Sequence, residues 1–327
     1  MGENITLHGA GHAGEVGPAT RLLVEVSAPF RLGYVVWALR RRAHNEVDRF
    51  DGGCYRRVLC LAGGPAEVSV RQDLTAGAPS LIAELRGPAG PIGGAAAAEA
   101  RPVLERMLGL GADLAGFYRV AAGDSGLNTL AARFRGMRPP CFPTVFEAVV
   151  NAVACQQLSL DVGIHLLNRL AHRFGPAIAG PVTRYGFPAP DRLADADPAE
   201  LRSLGFSMAK ARTIISVAGR VAAGALDLEA LRDVGDDRAM GILLGLPGIG
   251  RWSAEYVMLR GLARYHVLPG DDVGARNNLR HRFGLAEDAG YDAVATLSRR
   301  WQPYAGLVYF HLLLDALAAR GYLEEAR

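Results

Sequence analysis

Lysine is almost absent from this chain of 327 residues: of 36 basic residues only one, Lys210, is not arginine. A mechanism that forms a Schiff base on a lysine amine therefore has a single internal candidate. Cysteine is scarce too. Cys54, Cys60, Cys141 and Cys155 include no CxxC pair and all lie in the first half, which argues against a zinc ribbon, a four-cysteine iron–sulfur cluster or a dense disulfide framework. No apolar run reaches the roughly 18 residues needed to span a bilayer. The start, MGENITLHGA, lacks the basic segment and apolar core of a secretory signal. Charge of one sign is missing as well, since 36 basic and 33 acidic residues leave +3. That excludes a polybasic tail or an acidic scaffold but allows a local basic face. There is no phosphate-loop GKS/T motif, no GxSxG and no dinucleotide fingerprint, so a small-molecule enzyme of those classes finds no support. These absences predict a cytoplasmic protein with reduced thiols and no membrane partner.

Half of the residues are hydrophobic and 21% charged, the mixture of a folded protein with a sizeable core. The length predicts two domains. Arg21–Ser27, Arg56–Ala62 and Ala66–Arg71 are short, rich in Val and Leu, and bounded by Gly or Pro, so they read as strands. Between the first two, Leu32–Arg42 (LGYVVWALRRR) reads as a helix with Val35, Val36, Trp37 and Leu39 on or near its buried side. Its closing Arg40–Arg42 run reads as a solvated helix end, favourable to the helix dipole, in preference to contact with an anionic partner. Gly87–Ala98 (GPAGPIGGAAAA) has almost no charge and reads as a linker. A small α+β domain is therefore expected over 1–95, and an all-helical domain over 96–327. Caps recur in the second part: Thr144–Glu147 as a capping box, Ser159 before the next helix, Asp197-Pro198-Ala199-Glu200 with Gly205 as the stop, and Ser207 before the helix that carries Lys210.

The informative segment is Met240–Leu279. Leu246-Pro247-Gly248-Ile249-Gly250 joins two apolar-periodic helical stretches, about 236–245 and 251–262, through a turn too short for anything but a tight hairpin. Its glycines let the backbone approach another surface and leave N–H groups free at the second helix's N-terminus. Such a nest binds a phosphate without a lysine, and contacts of that kind are blind to base sequence. Taken alone, LPGIG reads equally well as an ordinary glycine turn. Further on, Leu268-Pro269-Gly270-Asp271-Asp272 opens a helix over Val273–Arg282.

In these residues the chain resembles the helix-hairpin-helix DNA glycosylases, and most closely their DNA-3-methyladenine glycosylase II (alkylation-repair) branch. The hairpin and Trp252-Ser253-Ala254 match its LPGIGRW(S/T)A pattern. Three other blocks are similar: Phe146-Glu147…Gln156-Gln157-Leu158-Ser159, Phe187-Pro188…Leu204-Gly205-Phe206…Lys210-Ala211, and Trp301-Gln302-Pro303-Tyr304, with Ala305 where arginine is usual. The likeness covers about 136–315 well and 20–75 weakly. It implies an α+β N-terminal domain and a helical domain in two lobes, 136–262 with the hairpin 246–250 and 99–135 plus 263–327, with the active-site cleft between them.

The resemblance further implies that duplex DNA is kinked, a damaged nucleotide is flipped into a pocket, and its N-glycosidic bond is cut. Asp272 takes the catalytic aspartate position, with capping of the following helix assigned to Asp271. Trp252 stands where strand-cleaving relatives have lysine, so no strand cleavage is expected, and Lys210 reads as a surface or phosphate-contacting residue. Trp252, Tyr256 and Gln156 are the expected base pocket, where an indole suits a cationic, alkylated purine. Gln157 and then Leu158 are expected to fill the gap that the flipped base leaves. Leu246, Gly248, Ile249, Gly250 and Arg251 are the expected phosphate-binding hairpin, and Arg276 and Arg280 are further candidates for DNA contact. Leu313 stands where some members offer a tryptophan, with Tyr309 and Phe310 nearby. No side-chain metal site is expected, since His8 and His12 lie in a Gly-rich start. No cofactor is expected either, although the resemblance implies that a monovalent cation can sit on the hairpin carbonyls, as in relatives. The partner is duplex DNA, and a monomer suffices. Rival readings are a glycosylase for a deaminated or oxidised base and a non-catalytic DNA-holding protein.

Overall fold

The computed structural model describes residues 19–74 and 79–323; His8 and His12 lie outside them. Five strands form an antiparallel sheet in the order β1-β5-β4-β3-β2: β1 (Thr20–Glu25), β2 (Arg49–Asp51), β3 (Cys54–Leu61), β4 (Gly64–Asp73) and β5 (Ser80–Gly87). Alternation sets its inner face, with Ala66, Val68 and Val70 of β4 and Leu81, Ala83 and Leu85 of β5 all buried. Helix α1 (Leu32–Arg40) packs against β2 and is buried on nearly every side. Strand β2, three residues long, is too short to show a pattern in the sequence, and β5, although it alternates, was not among the expected strands.

The linker expected at Gly87–Ala98 is ordered secondary structure instead. β6 (Gly90–Pro91) pairs with the end of β5, and α2 (Gly94–Met107) starts in the alanine run and packs on β1 and β3. Low charge and small side chains reflect close packing here: Ala96, Ala97 and Ala100 are buried. One contiguous set of buried apolar residues runs from the sheet into the helices that follow.

Those helices are α3 (Leu114–Ala122), α4 (Ser125–Arg133), α5 (Val145–Cys155), α6 (Leu160–Phe174), α7 (Pro190–Ala194), α8 (Pro198–Ser203), α9 (Met208–Ala222), α10 (Asp236–Leu244), α11 (Arg251–Arg260), α12 (Val273–Phe283), α13 (Tyr291–Ser298) and α14 (Ala305–Ala318). The part expected to be all-helical also contains a two-stranded ribbon, β7 (Ala177–Ile178) with β8 (Arg184–Tyr185). Two-residue strands are too short to show alternation in a sequence. The Ser159, Asp197 and Ser207 caps form as expected. No helix among the described residues is long and apolar enough to cross a membrane.

Buried guanidinium groups join the sheet to the helices. Arg57 of β3 bonds Asp48 Oδ1 at 2.7 Å and Glu147 Oε2 at 2.5 Å, and all three side chains are nearly inaccessible. The capping box at α5 is therefore only half made. Thr144 accepts from the Glu147 N–H, but the Glu147 carboxylate turns to Arg57. Arg260 of α11 donates to the carbonyls of Ala38 and Leu39 at the end of α1, and lies over the rings of Phe142, Tyr256 and Phe310.

Removing one member of a buried ion pair leaves its partner uncompensated, whereas replacing both by apolar residues can be nearly neutral. Arg57→Leu and Glu147→Leu should each lower unfolding free energy by about 3–5 kcal/mol. In denaturant titrations the double variant should cost clearly less than the sum of the two. Additive losses would contradict a direct pair.

Candidate active site

Three segments, far apart in sequence, meet around a cavity of about 1050 Å³. The first is the end of α5. Its residues 145–154 are buried all round, so the helix is a rigid central rod, and its last turn emerges at Gln156 and Gln157. Gln157 takes φ +53°, a left-handed conformation uncommon for a residue with a Cβ, and swings the chain toward the Ser159 cap of α6. Lys210 holds this turn. Its Nζ donates to the carbonyls of Ala154 (3.0 Å) and Gln156 (2.7 Å), a cation on the carbonyl end of a helix. Burial pulls its pKa down. Of the two expectations for Lys210, a surface or a phosphate-contacting residue, the first is corrected: it is half-buried and clamps the Gln156–Gln157 turn.

The second segment is the hairpin. Gly248 has φ +79°, and a Cβ there would lie 2.3 Å from Thr213 Oγ1 of α9, so only glycine fits. Leu246 and Ile249 are buried anchors, which leaves the backbone around Gly248 and Gly250 as the exposed part of the turn. Gln156 ties hairpin to α5, its Nε2 donating to the Gly248 carbonyl and to Ser253 Oγ, both at 2.8 Å. Arg251 is engaged by Asp271 (2.7 Å) and lies over the Tyr291 ring at 3.7 Å.

The third segment is the turn before α12. Asp272 Oδ1 accepts from Ala275 N–H at 2.8 Å, so Asp272 is itself the N-cap. This corrects the sequence assignment of the cap to Asp271, whose carboxylate instead bridges Arg251 and Arg276 (2.5 Å). The other Asp272 oxygen, Oδ2, accepts from Trp252 Nε1 (3.1 Å) and Tyr309 Oη (3.4 Å). One carboxylate thus caps a helix with one oxygen and meets two cavity-lining side chains with the other. Glu255 braces this turn from beneath, accepting from Gly270 N–H (3.1 Å) and Tyr291 Oη (2.6 Å). Burial raises the Glu255 pKa, and burial together with Glu255 pushes the Tyr291 phenol up to about 12.

Of the expected site residues, Trp252, Tyr256, Gln156, Gln157, Leu158 and Asp272 all line the one cavity. Trp252 and Tyr256 have ring centroids 5.5 Å apart. Tyr309 and Leu313 of α14 line it too, while Phe310 belongs to the core. Arg276 and Arg280 spend their donors within the chain, on Gly270, Asp271, Asn277 and Ala286. The Arg40–Arg42 run is a correction. These three arginines are buried, Arg40 on the carbonyls of Phe50 and Ala43, Arg42 on Asp161, and Arg41 in the cavity wall. A local pattern shows a basic helix end. It cannot show that the partners of Arg41 lie 110 and 215 residues away. Glu255 was also missed, although an acid set between Ala254 and Tyr256 in the middle of this helix was a usable signal.

Residues 150–303 match the family model of the HhH-GPD superfamily base excision DNA repair protein. Escherichia coli (strain K12) DNA-3-methyladenine glycosylase 2 is 28% identical over 87% of this chain and 93% of its own length. Bacillus subtilis (strain 168) YfjP is 31% identical over 52% of this chain, which spans 58% of that relative, less than two thirds of its length. The solved 3-methyladenine DNA-glycosylase from Archaeoglobus fulgidus superposes with a TM-score of 0.77 at 26% identity, covering 90% of this chain and 97% of its own.

The two hairpin glycines should respond differently to a methyl group. Gly248→Ala forces both a left-handed backbone and a clash, and should cost about 1–3 kcal/mol of stability. Gly250 has φ −97° and open space around a Cβ, so Gly250→Ala should stay within about 1 kcal/mol of wild type. Chemical denaturation separates the two; equal losses would contradict the hairpin geometry.

Proposed function

Over residues 150–303 the chain belongs to the helix-hairpin-helix base-excision superfamily, and from that premise we propose that it is a monofunctional DNA glycosylase that excises alkylated purines, of the 3-methyladenine and 7-methylguanine type, from duplex DNA. The observation that carries the reading is the Asp272 carboxylate, fixed at a helix N-terminus with one oxygen toward a cavity large enough for a nucleobase.

In this reading the duplex lies across the hairpin, where N–H groups at the start of α11 meet a phosphate. Because Arg251 is already paired with Asp271, the backbone is the anchor there. The damaged nucleotide leaves the stack and enters between the hairpin-bearing lobe and the α14 lobe. Unstacking costs a few kcal/mol, least for a weakened pair. Gln157, with Leu158 beside it, stands in the vacated position; Leu158 is 43% exposed, which leaves it free to contact DNA. Trp252 offers an indole face to the base, suited to a cationic ring. As the C1′–N bond breaks, positive charge builds on the sugar, and the Asp272 carboxylate stabilises it and orients the attacking water. Hydroxide ends on C1′, the water's remaining proton passes by way of Asp272 to solvent, the cationic base departs neutral with the bonding electrons, and an abasic site remains.

Strand cleavage through a Schiff base has no participant in this scheme. Trp252 replaces the amine at the hairpin, and Lys210 is spent on two carbonyls. No other subunit is needed to complete the site.

The test uses a duplex treated with a methylating agent, wild type and Asp272→Asn, with and without hot alkali. Asparagine caps a helix about as well as aspartate, so the variant should fold and bind DNA as wild type does. Its base release should fall by about a thousandfold or more. Breaks that need alkali fit a monofunctional enzyme, breaks without alkali contradict that part, and equal release by the variant contradicts Asp272 as the catalytic group.

A further inference from the structure

Because Asp272 caps α12, the acid beside it is free for another task. Among the described residues the Asp271 carboxylate accepts from no backbone N–H, and everything it holds is cationic. Its Oδ2 accepts from both Nε and Nη2 of Arg251 at 2.7 Å, and its Oδ1 accepts from Nη2 of Arg276 at 2.5 Å. Arg276 is tethered a second time, its Nε donating to the Gly270 carbonyl at 2.8 Å. The Arg251 guanidinium also lies 3.7 Å above the Tyr291 ring, and Tyr291 is itself bound to Glu255. A side chain that is 53% exposed is thus held both at its edge and on its face.

Arg251 is the only charged residue of the hairpin 246–251 and the first residue of α11. Gly250 before it brings no side chain to cap that helix, so the opening N–H groups of α11 are left for a ligand. A free guanidinium beside those amides would add a long, mobile cation to the same phosphate. The pairing returns little stability, since ion pairs this exposed contribute little. Its larger effect is to withhold a cation and to set a negative charge beside the phosphate anchor.

We propose that Asp271 is an intramolecular competitor for the DNA phosphate at the hairpin. By occupying Arg251 it leaves the grip to the α11 amides and keeps the hold on undamaged duplex weak. The inference rests on the base-excision reading above; it concerns how the site holds a DNA backbone of any sequence, not which base is cut. Two effects act in the same direction. An arginine already paired within the chain displaces no counterion from the phosphates, so it adds nothing to the salt-dependent part of binding. The carboxylate also repels a phosphate that comes within a few ångströms. A protein that must find rare lesions among many undamaged sites gains from a weak sequence-independent hold, because those sites compete for it.

Binding to an undamaged duplex, measured from about 50 to about 200 mM salt, provides the test. The proteins are full-length wild type, Asp271→Asn, Arg251→Gln and the double variant. Asp271→Asn removes the charge, keeps the side-chain shape and loses no helix cap. It should bind about five- to tenfold more tightly at the low-salt end. The slope of log K against log salt should steepen by about 0.9 for each arginine that reaches a phosphate. Arg251→Gln should leave the wild-type slope unchanged, yet remove about 0.9 from the slope of the Asp271→Asn protein. A bridge with a purely structural role would not make one substitution depend on the other in this way. An Asp271→Asn protein with wild-type affinity and slope would overturn the proposal. So would Arg251→Gln if it lowered the slope by about 0.9 with Asp271 in place, since Arg251 would then already meet a phosphate. That single variant decides the matter if Asp271→Asn does not fold. A wild type that binds no duplex at any salt would contradict the base-excision reading, and the proposal with it.

Discussion

The placement of the whole site hangs on the buried contact between Arg57 and Glu147. It fixes the sheet to the start of α5, and α5 is buried on every side, so its position is transmitted as a rigid body to its far end. That end is the Gln156–Gln157 turn, closed by Lys210 and tied through Gln156 to the hairpin carbonyl of Gly248. The hairpin begins α11, and α11 carries Trp252 and Tyr256 on the cavity side and Glu255 beneath the Asp272 turn. The first link, between Arg57 and Glu147, joins polar groups with little access to water, where a lost partner is expensive. This construction also explains the composition. Arginine, which stays charged when buried and makes several directed bonds, does the joining, and the single lysine caps one helix.

Much of the site was legible in the sequence because its signals are local. Two glycines four and two residues before Trp252, a Gln-Gln-Leu-Ser turn, and an acid opening a helix after Leu-Pro-Gly can each be read within a dozen residues. The residues so identified do line one cavity. What escaped depends on partners distant in the chain. Arg40–Arg42 looks like a solvated helix end until Asn151, Tyr256 and Asp161 are brought beside it. Glu147 looks like half of a capping box until Arg57 claims it. Asp271 and Asp272 are adjacent acids, and only the backbone direction decides that Asp272 caps while Asp271 bridges two arginines. Gly87–Ala98 looked like a tether because small uncharged residues serve close packing and flexibility equally well.

The most direct check of the account is a crystal structure with a duplex holding an abasic analogue that carries a positive charge in the sugar ring. The account predicts the analogue extrahelical in this cavity, its charged atom nearest Asp272 Oδ2, the Gln157 side chain in the gap in the stack, and a phosphate on the amides that open α11. An analogue that stays stacked in the duplex, or that binds away from Asp272, would contradict it.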